Sequence, residues 1–108
     1  MFVEVKEKDR EAIIAIKGHI DTLTAREATE IFKEAAEDHD SIVLDMSEVS
    51  YVSSAGIRAL RSLYMLMYKK GGSLNMVNLS EEVYSVLEMT GLVDLINLQK
   101  GKKDQKDK

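Results

Sequence analysis

Two adjacent serines, Ser53 and Ser54, are the residues of this sequence best placed for chemistry. They follow an apolar run at 42–45 that is typical of a strand buried on both faces, and they precede an amphipathic segment that is typical of a helix. The pair therefore lies where a central strand leads into a helix. Because the amino end of a helix favours negative charge, added charge at these serines should be tolerated, and serine is also an ordinary helix cap.

A serine between a strand and a helix is also the arrangement of a hydrolase nucleophile. The Gly-x-Ser-x-Gly spacing of that turn is absent, and only His19 and His39 could serve as the base. His39 stands among acids at 37–40, so we expect it at a solvated helix end. His19 is the better candidate because its loop could approach the serines, but a lone histidine more often shapes a loop. A serine hydrolase is therefore the disfavoured alternative.

The sequence does not support a metal or cofactor site. It contains no cysteine, its two histidines are far apart, and its acids are distributed as helix-surface charges. Gly71-Gly72 follows a predicted helix and lacks the Lys-Ser/Thr of a phosphate-binding loop, which indicates a turn. We expect no catalytic, metal-binding or cofactor-binding residue.

The distribution of charge narrows the function further. The formal net charge is -4, although the last ten residues contain five lysines and two aspartates. The remaining chain is acidic, which disfavours direct nucleic-acid binding because phosphate contacts need clustered basic residues. No apolar run approaches a membrane span, and the amino-terminal residues do not resemble a signal peptide. We expect a cytoplasmic protein with one domain at 1–98 and a disordered basic tail at 99–108.

Hydrophobic periodicity predicts an alternation of strands and helices in the order β-β-α-β-α-β-α-(β). The predicted strands are 2–7, 12–17, 41–45 and 74–77, with the first two forming a hairpin and a further short strand or turn at 94–98. The predicted helices begin near Asp21 or Thr22, at Ser54 and after Ser80, and glycines at 71 and 91 end the second and third. Their expected buried residues are Ala28, Ile31, Phe32 and Ala35, then Ile57, Leu60, Tyr64 and Met67, then Val83, Val86 and Leu87.

Three motifs resemble the STAS domain, the module shared by bacterial anti-sigma factor antagonists and the cytoplasmic ends of sulfate transporters. They are Gly18-His19-Ile20-Asp21, the segment 43–57 with its Ser53-Ser54-Ala55-Gly56 sequence, and Met89-Thr90-Gly91-Leu92. The resemblance covers nearly the whole chain. It implies the STAS fold, an α/β fold with a mixed four- to five-stranded sheet and helices packed against it.

The resemblance also implies a regulatory function. In the family the serine two places before the glycine is phosphorylated, and this position is Ser54 here. Ser53 stands where many members have aspartate and is the second candidate acceptor. An unphosphorylated antagonist binds an anti-sigma factor kinase and so releases a sigma factor, phosphorylation ends that binding, and a serine phosphatase reverses the modification. We expect this chain to be a monomeric antagonist of this kind. The alternative is a STAS scaffold or sensor subunit that is never phosphorylated.

The expected partner surface combines the loop at 18–22, the serine loop and basic residues near the helix start. The expected contact residues are Asp21, Ser53, Ser54, Gly56, Ile57, Arg58 and Arg61. Asp21 could equally cap the first helix, and we expect Asp45 to accept backbone N–H bonds rather than to support the serine loop. The second helix also has apolar residues outside its buried stripe, which either pack inside the domain or face a partner: Leu63, Met65, Leu66 and Tyr68.

Overall fold

The computed structural model describes residues 1–100, and the side chains of residues 1–96. Its strands are β1 (Phe2–Lys8), β2 (Glu11–Ile20), β3 (Ser41–Val52), β4 (Ser73–Leu79) and β5 (Asn97–Lys100). Its helices are α1 (Ala25–Asp38), α2 (Ser54–Lys70), α3 (Glu81–Met89) and the short α4 (Leu92–Leu95). The predicted α/β order is confirmed, and the optional last strand follows one additional short helix.

The strands form one mixed sheet in the order β1-β2-β3-β4-β5. β1 and β2 make the predicted antiparallel hairpin, with Phe2 opposite Lys17 and Lys8 opposite Glu11. The other neighbouring strands are parallel, because helices carry the chain back across the sheet between them. The carboxyl ends of β2 and β3 therefore lie side by side, which brings the segment after Ile20 next to the serine pair.

The helices cover one face of the sheet. The residues of β2, β3 and β4 on that face are buried: Ala12, Ile14, Ile16, Ile42, Leu44, Met46, Leu74 and Met76. The residues between them point the other way, and Ile13 is exposed while Val43 and Asp45 are half-buried. The prediction that 42–45 is buried on both faces is therefore wrong, because the face that carries Val43 and Asp45 has no helix over it in the described part of the chain.

The central strand is longer than the sequence predicts. β3 pairs with β4 only as far as Asp45, but it continues along β2 until Val52 lies opposite Ile20. Exposed serines and a glutamate interrupt the apolar pattern of this extension, since only β2 borders it. The connection from β3 to α2 is consequently a single residue, Ser53, rather than a loop.

The helix ends follow the sequence signals in α2 and α3 but not in α1. Ser80 accepts a hydrogen bond from the Val83 N–H at 3.2 Å, and Gly71 and Gly91 adopt the left-handed conformations expected of glycines that end helices. α1 begins later than predicted, after Thr24. Neither Asp21 nor Thr22 is its cap, because these residues form a separate turn ahead of the helix.

The predicted apolar stripes of the helices are confirmed in most positions. Val86 is wrong: its side chain lies on the flank of α3 and is 37% exposed. Ile31 and Tyr64 are half-buried rather than buried. The four further apolar residues of α2 divide between core and surface, with Leu63 buried, Leu66 half-buried, and Met65 and Tyr68 exposed.

The carboxyl-terminal boundary differs slightly from the predicted one. β5 extends to Lys100, two residues past the predicted domain end at 98. Residues 101–108 lie outside the described residues, so the disordered tail stays a prediction.

Candidate functional site

The two serines have different roles at the start of α2. Ser53 is the N-cap, and its Oγ accepts a hydrogen bond from the Gly56 backbone N–H at 3.3 Å. Ser54 is the first helical residue and is exposed, and its hydroxyl makes no hydrogen bond to any residue in the described part of the chain. Ser54 therefore presents a free hydroxyl to solvent, whereas the Ser53 hydroxyl is half-buried and engaged.

The backbone around Ser54 is suited to negative charge. The N–H groups of Ser54 and Ala55 have no hydrogen-bond partner within residues 1–100, as is usual in the first turn of a helix. The helix dipole places partial positive charge at the same point. Arg58 is exposed one turn further along and forms no ion pair with another described residue. A phosphate on Ser54 would thus meet free N–H donors and the positive end of the helix dipole.

The start of α2 is fixed against the end of β2 by close backbone packing. The Ser53 N–H donates to the Ile20 carbonyl oxygen at 3.0 Å. A Cβ added to Gly56 would overlap that same oxygen and would lie 2.8 Å from Cγ1 of Val52. The two segments that the sequence predicts as one surface are therefore held together by direct contact.

Asp21 organises the turn that follows Ile20. Its Oδ1 accepts hydrogen bonds from the backbone N–H groups of Leu23 and Thr24, at 3.0 and 3.2 Å, and Oγ1 of Thr24 accepts one from the Asp21 N–H at 2.9 Å. Partial burial raises the pKa of Asp21, but the bonds from Thr24 and Leu23 outweigh it, so the pKa lies below its ordinary value. Asp21 is therefore ionised at neutral pH and holds the turn in shape.

One exposed face of α2 leads away from Ser54. Arg58, Arg61, Met65 and Tyr68 follow it at helical spacing. The Arg61 Nη2 donates to the carbonyl oxygen of Thr90 at 3.0 Å, which ties this face to the end of α3. Arg58 and Arg61 are therefore available at the surface, but Arg61 also has a structural contact.

Two of the expected contact residues are not available at the surface. Gly56 lies beneath the turn, and the Ile57 side chain is only 7% exposed because it packs into the core between α2 and the sheet. The expectation that Gly56 and Ile57 touch a partner directly is corrected by this burial. Their contribution is to hold the serine pair in place.

Three exposed apolar residues lie outside the expected contact residues, one in the Asp21 turn, one at the end of α3 and one near the end of β3. Leu23 follows the Asp21 turn and is 90% exposed, and Met89, beside the Thr90 that Arg61 contacts, is 85% exposed. Tyr51, the third residue before Ser54, is also exposed. Leu23 carried a usable signal, because a leucine in a polar turn with no periodic partner has no place in a predicted core.

The two histidines do not form a catalytic arrangement with the serines. His19 stacks edge-on against Tyr51, with ring centroids 5.8 Å apart, and its Nδ1 lies 4.0 Å from Oδ2 of Asp21. His39 is buried instead of solvated, so its predicted position is wrong. Among the described residues, neither imidazole makes a hydrogen bond to Ser53 or Ser54.

His39 is buried at the junction of β1 and the end of α1, where both of its ring nitrogens have hydrogen-bond partners. Nδ1 lies 2.8 Å from the Ala35 carbonyl oxygen, and Nε2 lies 2.8 Å from Oε1 of Glu7. The Lys70 Nζ donates to the His39 carbonyl oxygen at 2.7 Å, which adds α2 to the same junction. His39 therefore links β1, α1 and α2 to one another. The acidic residues beside it in the sequence did not indicate that it would be buried.

Asp45 has the role that the sequence predicts. Its Oδ1 accepts from the Ser47 backbone N–H and from Nδ2 of Asn78, both at 3.1 Å. Burial raises the pKa of Asp45, but the bonds from Asn78 and Ser47 outweigh it and lower the pKa. Through these hydrogen bonds Asp45 fixes the backbone of β3 at the point where its pairing with β4 ends.

The geometry of residues 1–100 offers neither a metal site nor a membrane-spanning helix. Within residues 1–100, no group of three or more histidine, aspartate or glutamate side chains is arranged to hold a metal ion. None of the helices in that range combines the length and the apolar character needed to cross a membrane.

Comparison with known proteins agrees with the fold. A model of the STAS domain family matches residues 2–104. The anti-sigma-B factor antagonist of Bacillus subtilis is 31% identical over 96 residues, covering 89% of this chain and 88% of that protein. An anti-sigma factor antagonist from Mycobacterium paratuberculosis superimposes with a TM-score of 0.82 at 23% identity, covering 95% of this chain and 88% of the other. The Bacillus cell fate determinant SpoIIAA in its phosphorylated form superimposes with a TM-score of 0.73 at 14% identity, covering 98% and 97%.

Proposed function

Because the chain belongs to the STAS domain family, we propose that it is an anti-sigma factor antagonist switched by phosphorylation at Ser54. The unphosphorylated form binds an anti-sigma factor kinase and so releases a sigma factor in the cytoplasm. Phosphorylation ends the binding, and a serine phosphatase reverses it. The relatives that support this proposal are named as antagonists rather than as enzymes.

The observation that supports the proposal is that the two serine hydroxyls have different roles. Ser53 uses its hydroxyl to cap α2, so modifying it would remove the N-cap. The exposed Ser54 hydroxyl can be modified without breaking any hydrogen bond in the described part of the chain. Ser54 is therefore the acceptor that the fold tolerates, and Ser53 is the second choice.

The physical effect of the phosphate falls on the partner rather than on the fold. A phosphoserine adds about -1.5 to -2 charge at neutral pH. Within the chain the free N–H groups of α2 accommodate this charge. A kinase surface packed against Ser54 must instead desolvate the phosphate or oppose it with its own acids, at a cost of several kcal/mol. Since about 1.4 kcal/mol corresponds to a tenfold change in affinity, this is sufficient for a switch.

The proposed partner surface surrounds Ser54. Asp21, Ser53, Ser54, Arg58 and Arg61 offer polar contacts, with Gly56 and Ile57 supporting them from below. Leu23 adds an exposed apolar side chain on the Asp21 turn. Protein interfaces commonly combine apolar contacts with a polar rim.

The test is phosphorylation by an anti-sigma factor kinase from the same organism, with ATP and Mg²⁺, followed by intact mass and fragment analysis. We expect one phosphate on Ser54 and no phosphate on the Ser54→Ala variant. The matched control is Ser53→Ala, which should still be phosphorylated at Ser54. Phosphorylation of Ser53 alone would identify Ser53 as the regulatory residue instead of Ser54. The absence of phosphate on both serines would contradict the proposal.

Binding measurements separate the remaining alternatives. Isothermal titration with the kinase should show tight binding of the unphosphorylated chain and at least a tenfold loss after modification. A chain that binds partners but is never phosphorylated would be a STAS scaffold or sensor subunit. Turnover in a screen of generic esters, lost in Ser54→Ala, would instead establish the hydrolase alternative, which the positions of His19 and His39 disfavour.

A further inference from the structure

The edge strand β1 leaves one side of its backbone unpaired. Among residues 1–100, β1 pairs only with β2, and it lies at the end of the five-stranded sheet. Six of its seven residues are exposed, including Phe2 at 58% and Val5 at 44%. Such an edge can accept another strand unless its side chains prevent the approach.

Two charged residues of β1, Glu4 and Lys6, have no ion-pair partner in the described part of the chain. Glu4 lies opposite Ala15 of β2, and Lys6 lies opposite Ile13. Neither Glu4 nor Lys6 forms an ion pair within the described residues. These two charges would oppose the approach of many strands, but they are complementary to each other.

We propose that β1 is a self-association edge, at which a second copy of this chain pairs antiparallel about a two-fold axis through Val5. Val5 is the midpoint of Phe2–Lys8, so this register pairs the full length of the strand. Glu4 then lies opposite Lys6 of the second copy, and Lys6 opposite Glu4 of the second copy. Phe2 lies opposite Lys8 of the second copy, and the result is a continuous ten-stranded sheet.

The two-fold register is selected by charge. Moving the axis to Glu4 places two carboxylates opposite each other, and moving it to Lys6 places two ammonium groups opposite each other. Only the axis at Val5 converts both charges into cross-strand ion pairs while keeping the helices of both copies on one face. The association is weak, because Glu34 and Asp38 line the groove beside Val5. In the dimer these carboxylates lie on the same face of the sheet as those of the second copy, and the like charges repel. It differs from the monomer expected from the sequence, and it does not use Ser54.

Sedimentation velocity of the full chain between about 10 µM and about 1 mM tests the proposal. We expect a rise from monomer to dimer across this range. Lys6→Glu should remove it, because carboxylates then face each other at both positions. Combining Glu4→Lys with Lys6→Glu should restore it, because the signs are exchanged together. The matched control is Lys69→Glu, which makes the same charge change on an exposed residue at the end of α2.

A single cysteine locates the axis independently. The chain has no cysteine, and only residues on the two-fold axis come within disulfide distance of themselves. Val5→Cys should therefore form a covalent dimer under mild oxidation, whereas Leu23→Cys, at a position that is 90% exposed, should not exceed random crosslinking. A wild-type monomer at every concentration, failure of the double exchange to restore the dimer, or equal crosslinking of both cysteine variants would each overturn the proposal.

Discussion

Gly56, in the first turn of α2, lies directly against the carbonyl oxygen of Ile20 at the end of β2. A side chain at position 56 has no room, since its Cβ would overlap that oxygen and press on Cγ1 of Val52. The same carbonyl accepts the Ser53 N–H at 3.0 Å. A glycine is therefore required by close approach of two backbones, and this approach joins the Asp21 turn to the serine pair.

Gly56→Ala should destabilise the protein strongly. The methyl group can fit only if β2 and α2 separate, and overpacking of this kind costs about 1–3 kcal/mol or more. Urea unfolding followed by circular dichroism measures the change. Ser54→Ala is the control in the same turn, where an exposed residue should change the free energy of unfolding by about 0.5 kcal/mol or less. Equal stability of the two variants would contradict the packing argument.

Ser53→Ala and Ser54→Ala should separate stability from regulation. Loss of the Ser53 cap should cost about 1 kcal/mol of unfolding free energy, because the Gly56 N–H loses its acceptor. Ser54→Ala should leave stability nearly unchanged and should abolish phosphorylation. Thermal unfolding and kinase assays on the same two samples provide the comparison. A larger stability loss in Ser54→Ala than in Ser53→Ala would contradict the assigned roles.

The start and end of α2 could be predicted from sequence because local chemistry determines them. A serine, an apolar stripe and a glycine after Lys69 and Lys70 are short-range signals, and the helix runs over the predicted residues 54–70. The same holds for the first hairpin and for the Ser80 cap of α3. The serine pair could be located for the same reason, although its two roles required the position of the Gly56 N–H.

Features that depend on distant neighbours could not be predicted. β3 continues to Val52 because β2 remains beside it, and no local pattern records that neighbour. His39 is buried because Glu7 reaches it from a strand 32 residues earlier in the chain. Each of these differences concerns tertiary contact rather than local propensity.

His39→Leu should destabilise the junction of β1 and α1. It leaves the Ala35 carbonyl without the ring N–H and frees Glu7, so we expect a loss of about 1–3 kcal/mol in unfolding free energy. Glu7→Ala should lose less, because its carboxylate is largely exposed. Glu11→Ala, an exposed acid of β2, is the control for charge alone. Denaturant unfolding checks the order, and a loss for Glu11→Ala as large as for His39→Leu would contradict it.

Asp40 should contribute stability that acid removes. The Arg10 guanidinium donates two hydrogen bonds to the Asp40 carboxylate, each at 3.0 Å, and holds the pKa of Asp40 below its ordinary value. A carboxyl group whose pKa is lower in the folded state stabilises the protein above its unfolded value of about 3.9, and loses that contribution as pH falls through the folded value. Asp40→Asn should therefore lower the urea midpoint at pH 7 by more than at about pH 2.5.

The control for Asp40 is Glu37→Gln, which removes a nearby exposed charge with no described ion pair. Its effect on the urea midpoint should be smaller at pH 7 and should show a weaker dependence on pH. An Asp40→Asn effect of the same size at both pH values would indicate that the Arg10 contact does not stabilise the fold.

Leu23 should be the apolar anchor of the proposed kinase interface, with Arg58 acting mainly through its charge. Leu23 is 90% exposed on the turn that Asp21 fixes, and the few residues that dominate an interface each cost about 2 kcal/mol or more of binding free energy when truncated. We expect Leu23→Ala to weaken kinase binding by about thirtyfold through faster dissociation, without loss of stability.

Arg58→Gln should mainly slow association and reduce its dependence on salt, since charges at an interface rim steer encounter. Tyr68→Ala is the control, because this exposed side chain lies about 21 Å along α2 from Ser54. Surface plasmon resonance with the kinase measures both rates, and a Leu23→Ala affinity equal to that of Tyr68→Ala would exclude the Asp21 turn from the interface.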